Sequence, residues 1–171
     1  QITYKVTADD ITATKTIDVT VTSDYTYLSD IKETSSKVGW DVLTKNRALE
    51  GGKITLLRNG FPVEYDKGLA AHANSEVVYD IKDKGYDSFE AYIGIDQSMK
   101  GSPANARFEV WVDGVKKYHS GNFTAGTNSA FVKIDVKDAE TVTLITNSNG
   151  SDASDHTVWA DAKFTKDSSN P

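Results

Sequence analysis

GLAAHANSEVVYDI, residues 68–81, is the stretch whose reading decides the fold. From Ser75 to Ile81 the residues alternate. Val77, Tyr79 and Ile81 point one way; Glu76, Val78 and Asp80 point the other. That period of two is the signature of a half-buried strand. Ahead of it, Gly68 to Asn74 reads as a loop of small residues carrying one histidine and one asparagine. A loop running directly into a core strand holds a polar side chain in a fixed place. His72 and Asn74 are therefore candidate ligand-contacting residues, and a histidine that only ties the loop down is the structural alternative.

Working outward, short alternating runs recur along the chain. RFEVWV (107–112), AFVKIDV (130–136), TVTLIT (141–146) and HTVWADAKF (156–164) are each bounded by Gly, Asn, Asp or Lys clusters. Asp113-Gly114 is a strong hairpin signal. From Tyr25 onward the pattern gives about eight or nine strands at roughly 8–12-residue spacing, the mark of an antiparallel β-sandwich. Two long segments interrupt it, Lys32–Gly52 and Asn147–Asp155. In the last strand Val158, Ala160, Ala162 and Phe164 are expected on the core side and Trp159 away from it. Residues 2–22 read as a separate hairpin with Thr-rich strands, Ile2–Thr7 and Thr12–Val21. This divides the chain into residues 1–23, a remnant of an upstream immunoglobulin-like region or linker, a module over 24–166, and a tail over 167–171. No signal peptide is visible, and both ends are expected to be cuts through a longer polypeptide.

The 171 residues carry a net charge of −6 and no cysteine. The charge argues against nucleic acid and anionic membranes as partners, because both need a basic stripe. Without cysteine there is no disulfide framework and no thiol nucleophile. No apolar run of about 20 residues spans a bilayer. No nucleophile elbow, His-Glu-x-x-His pair, phosphate loop or dinucleotide fingerprint occurs. Binding therefore outranks catalysis.

Sugar recognition needs an aromatic face for the apolar side of a pyranose and planar polar side chains for its hydroxyls. Lys32–Gly52 supplies Trp40, Asn46, Arg47 and Glu50. The segment before the central strand supplies His72 and Asn74. Asn147–His156 supplies Asn149, Asp152, Asp155 and His156. Trp40 and Trp159 are the candidate platforms; core or loop packing is the alternative for each. Trp111 reads as a packing residue. If the first and last strands of the sandwich are neighbours, Asp30 and Asp161 are candidate ligands for one Ca²⁺.

An ordered series of motifs then resembles one family. It comprises Tyr27-Leu28-Ser29-Asp30, Gly39-Trp40, Lys67–Ser75, Val77–Asp80, Gly94-Ile95-Asp96, Phe108-x-Val110-x-Val112-Asp113-Gly114 and Asp155-His156-x-x-Trp159-Ala160-Asp161-Ala162. Over Tyr25–Phe164 the chain is similar to the NPCBM domain, carbohydrate-binding module family 51. The resemblance implies an all-β, galactose-binding-like jelly-roll sandwich, often with a structural Ca²⁺. It implies a non-catalytic module, secreted or at the bacterial cell surface, appended to a glycoside hydrolase or peptidase. Its implied ligands are terminal galactose and blood-group A/B glycans of host mucins. It places His72 and Asn74 in a Gly-Leu-x-x-His-Ala motif, and His156 and Trp159 in an Asp-His-x-x-Trp motif. Ala70-Ala71 and Thr157-Val158 depart from the family's usual residues. A structural or adhesive spacer with no sugar site is the alternative function.

Overall fold

The computed structural model describes residues 2–8, 11–17 and 24–167. It contains fifteen strands. They are β1 (Ile2–Ala8), β2 (Ile11–Ile17), β3 (Tyr25–Tyr27), β4 (Ser35–Lys37), β5 (Thr44–Lys45), β6 (Ile54–Arg58), β7 (Phe61–Tyr65) and β8 (Gly68–His72). Then come β9 (Ser75–Asp80), β10 (Ser88–Ile95), β11 (Ala106–Val112), β12 (Val115–His119), β13 (Ala130–Asp135), β14 (Thr141–Ser148) and β15 (His156–Thr165). One sheet runs β13-β10-β15-β8-β5, with β3 also on β15; the other runs β12-β11-β14-β9-β4. All ladders are antiparallel, and the two sheets form the expected sandwich.

Between the sheets lies the main core. Val77, Tyr79, Phe108, Val110 and Leu144 come from one side; Leu69, Phe89, Ile93, Trp159 and Phe164 come from the other. Asp113 and Gly114 both adopt positive φ, 49° and 77°, and close the β11–β12 hairpin. That is the backbone a tight hairpin turn requires. The N-terminal hairpin pairs from Ile2↔Ile17 to Ala8↔Ile11. Threonine hydroxyls meet across it at 3.1 Å (Thr3, Thr16) and 3.0 Å (Thr7, Thr12). The expected continuation of its second strand to Val21 lies outside the described residues.

Four expectations are corrected. The run Tyr27–Ile31, whose apolar-polar pattern in the sequence suggests a short strand, is a strand only to Tyr27; Leu28–Asp30 is a 3-10 turn. Lys32–Gly52 is not irregular throughout, because β4 and β5 supply an edge to each sheet. Both are too short to show a period. Gly68–His72 is not a loop but a strand with every residue buried. One side of it faces the main core through Leu69. The other faces a second, smaller core of Ile54, Leu56, Ala70, Val158 and Ala160, roofed by the β6–β7 hairpin. A strand covered on both faces carries no alternation, and small residues let the roof approach.

The fourth correction concerns Trp159. The β10–β15 register shifts between Glu90 and Tyr92, and Asp161 takes φ 51°. This bulge inserts one residue and reverses the facing of side chains beyond it. Val158 and Ala160 therefore lie in the small core, while Trp159, Ala162 and Phe164 lie in the main one.

Gly68 is the tightest point of this arrangement. A Cβ there would sit 2.7 Å from the Trp159 carbonyl oxygen and 2.9 Å from Ile54 Cδ1. Backbone cannot yield as a side-chain tip can, so Gly68→Ala is expected to cost about 1–3 kcal/mol, the usual range for an overpacked core. Urea unfolding followed by circular dichroism measures it; an unchanged midpoint would refute the packing argument.

Candidate functional site

The end of the sandwich where β8 stops and β15 starts carries the site. His72 and His156 are direct cross-strand partners. Both belong to buried backbone, so two strands rather than loops set the distance between the imidazoles. Their ring centroids are 5.4 Å apart. Thr157 fixes the pairing from inside by donating its hydroxyl to the Ala71 carbonyl at 2.5 Å.

The segment between β4 and β5 brings an indole to this pair. Gly39 N–H donates to the His72 carbonyl at 3.0 Å. A Cβ on Gly39 would collide with the Ala73 carbonyl, so only glycine lets the two segments approach this closely. Trp40 then stands 5.9 Å from both His72 and His156, roughly parallel to the second ring (24°) and steeply inclined to the first (67°). Trp40 remains 53% exposed. An exposed indole held by two imidazoles offers an apolar face beside polar edges.

The polar edges have defined roles. His72 Nδ1 lies 2.6 Å from the Ala73 carbonyl. An N–H there must donate, which leaves Nε2 as the acceptor of a neutral ring. His156 Nε2 lies 3.8 Å from Glu50 Oε1. Glu50, one of the polar residues expected from the segment that carries Trp40, is thus brought beside His156. Burial first, and repulsion from His72 second, hold the His156 imidazole below the ordinary histidine range; Glu50 and Asp96 pull the other way. Behind the site, Asp155 is buried and accepts from Asn105 N–H at 2.7 Å. Its carboxyl is pushed up by that burial.

The remaining candidates divide. Asn74 is exposed two residues beyond His72, and its Oδ1 accepts from Ser148 N–H at 2.9 Å, which leaves the amide NH₂ for a ligand. Asn46 extends the β5–β8 ladder: its N–H donates to the Gly68 carbonyl at 2.9 Å, and its Oδ1 accepts from Gly68 N–H at 3.2 Å. Part of its side chain is therefore spent on the frame. Arg47 is exposed and makes no ion pair among the described residues. Trp159 is fully buried, with its ring against Phe89 and Phe108. It has no face for a ligand, and of the two candidate platforms only Trp40 is exposed.

Of the proposed calcium ligands, Asp161 lies on β15 and Asp30 in the 3-10 turn that follows its neighbour β3. Each carboxylate, however, already holds an ammonium. Lys67 Nζ is 2.5 Å from Asp30, and Lys163 Nζ is 3.0 Å from Asp161. Among the described residues no group of three or more His, Asp or Glu side chains could hold a metal ion. Asp30 and Asp161 as they stand do not fit a Ca²⁺, which would have to displace two lysines.

An exposed aromatic plane edged by hydrogen-bonding groups, on a rigid strand frame, suits capture of a ligand rather than its turnover. The class is that of non-catalytic binding modules of the β-sandwich type. Residues 24–165 match the NPCBM/NEW2 domain, and the chain belongs to that family. Family 51 carbohydrate-binding modules of known structure share the fold. One is the module from Clostridium perfringens GH95 in complex with methyl-galactose, 38% identical, with TM-score 0.80 over 82% of this chain and 99% of that one. Another is the ZmpB structure from Clostridium perfringens, which holds an M60 catalytic domain with two such modules. It is 40% identical with TM-score 0.81 over 96% of this chain, which spans only 18% of it. A third, the second ZmpB module with its INT domains, is 31% identical and was solved in complex with GlcNAc (TM-score 0.81, 96% of this chain, 36% of that one). No curated protein matches the chain.

The two indoles give opposite expectations. Trp159→Ala should cost about 3–5 kcal/mol of stability, whereas Trp40→Ala should leave unfolding within about 0.5 kcal/mol. Chemical denaturation of both variants checks the assignment. His156 supplies a pH test. Its buried ring binds fewer protons folded than unfolded, so its contribution is complete above the ordinary histidine pKa of about 6.5. It is lost as the pH falls through the lower folded value. The urea midpoint is expected to drop between pH 7 and pH 5, less steeply in His156→Gln; equal slopes would refute it.

Proposed function

We propose that the chain is a lectin-like module that holds terminal galactose at the end of the sandwich and targets an appended catalytic domain to galactose-bearing host glycans, the blood-group A/B type of mucins among them. The observation that carries this reading is Trp40, 53% exposed and 5.9 Å from both His72 and His156. The indole would pack on the apolar C–H face of the pyranose. His72 Nε2 would accept from one hydroxyl, and the Asn74 amide would donate to another. His156 with Glu50 would orient a third, and Arg47 and the free side of Asn46 would border the sugar. Support comes from the methyl-galactose complex of the GH95 module and from the catalytic neighbours of related modules. An extracellular bacterial setting follows from the same reading. One shallow site of this kind gives affinities on the order of tens of micromolar to millimolar, and repetition of modules in one chain raises them.

Calorimetric titration with galactose and a blood-group B trisaccharide tests the proposal. Saturable heat is expected for the wild type, with loss of at least about tenfold in affinity for His72→Ala and for Trp40→Ala while both melt normally. EDTA is expected to leave binding unchanged, since Asp30 and Asp161 already hold ammonium partners. No heat with either sugar at millimolar concentration would reject galactose recognition and favour a spacer that positions other domains.

A further inference from the structure

A second candidate site lies on β11, in the sheet opposite the His72–His156 pair. Arg107 is exposed, and its guanidinium is held by two neutral groups. Nε donates to Asn122 Oδ1 at 2.6 Å, and Nη2 donates to Asn149 Oδ1 at 2.7 Å. Among the described residues no carboxylate pairs with it. Three of its five N–H donors stay uncommitted.

The holders are themselves fixed by backbone. Phe123 exchanges two hydrogen bonds with Ala106, at 2.8 and 3.0 Å, and packs its ring on Phe108, so Asn122 beside it cannot drift. Asn149 N–H donates to the Asn105 carbonyl at 2.8 Å. Ser120 accepts from Phe108 N–H at 2.8 Å and donates to the Gly121 carbonyl at 2.7 Å, which ties the intervening turn to the strand. A cleft of about 560 Å³ opens at this point, lined by Arg107, Glu109, Lys116, His119, Ser120 and Asn122. Glu109 does not cancel the arginine. Its carboxylate is used by Lys116 at 3.0 Å and by the Trp111 indole N–H at 2.8 Å.

This is a preorganised cation with neutral hydrogen-bonding neighbours. Guanidinium orientation by two amides is the arrangement that suits a planar or tetrahedral oxyanion, because an end-on pair of N–H groups matches two oxygens. The rest of the chain sets the charge of the ligand. A net −6 repels a polyanion, whereas a single anionic group on a neutral, hydroxyl-rich body meets local attraction and long-range indifference. We propose that the Arg107 cleft binds an acidic sugar, one carrying a carboxylate or a sulfate ester, independently of the Trp40 site.

The 171-residue chain is titrated with methyl α-sialoside, galactose 6-sulfate and methyl galactoside, as wild type, Arg107→Gln, Arg107→Lys and Trp40→Ala. At least one acidic sugar is expected to bind. Its affinity should fall at least about tenfold in Arg107→Gln and remain reduced in Arg107→Lys, which keeps the charge but not the fork. Added salt should weaken it. Trp40→Ala should bind the acidic sugar as the wild type does. The carboxylate and sulfate arms identify which anion is read. No heat with either acidic sugar at millimolar concentration, affinity that survives Arg107→Gln, or affinity that disappears in Trp40→Ala would each overturn the proposal. Methyl galactoside reports on the galactose reading alone, so either proposal can fail without the other.

Discussion

The pairing of β8 with β15 is the constraint on which the rest depends. Five successive partners, from His156↔His72 to Ala160↔Gly68, place a strand of small residues beside β15, the middle strand of one sheet. Their size has two effects. It admits a hairpin roof over the outer face, which buries Ile54 and Leu56 in a second core. It also lets backbone approach backbone, as at Gly68 beside the Trp159 carbonyl. The same ladder delivers two histidines side by side at its end. The frame and the candidate site are therefore not separate achievements of the sequence. Shifting this register by one residue would turn His72 into the interior and Ala71 toward solvent.

What could be read from the chain, and what could not, follows from this. β9 and β11 alternate cleanly because one face meets the core and the other meets water. β8 has no such contrast and looks like a loop of small residues. β15 contrasts correctly, but the bulge at Asp161 exchanges its faces midway, and a bulge leaves no mark on period alone. That one inserted residue separates a buried Trp159 from an imagined sugar platform. Trp40, His72 and His156 were legible as motif members. Glu50 was legible only as a polar residue of a long segment, because its partner His156 is more than a hundred residues away. Arg107 and Asn122 escape for the same reason: they meet each other and Asn149 only through long-range ladders and a turn.

Charge is distributed with comparable economy. Asp30 and Asp161 at the β3–β15 seam each hold a lysine, and Lys163 also lies 5.5 Å from the Tyr25 ring. Burial, and then the nearby Asp161 carboxylate, push the Tyr27 hydroxyl up. Such half-exposed pairs contribute little energy singly, roughly 0–1 kcal/mol. Their effect is on what the seam accepts: two ammoniums stand where a divalent cation would otherwise be drawn.

The β3–β15 ladder also has a mechanical side. Tyr25 sits opposite Thr165, so the chain enters and leaves the sandwich at adjacent points. His156, at the other end of β15, lies roughly 30 Å away at about 3.3 Å per residue. A fold with paired entry and exit acts as a pendant. Pulling force along a polypeptide that contains it passes through three short rungs at the base and bypasses the histidines. Load at the base and the geometry of the far end are thereby decoupled, and a fold hung this way can be pulled at its base without opening the end where the two histidines meet.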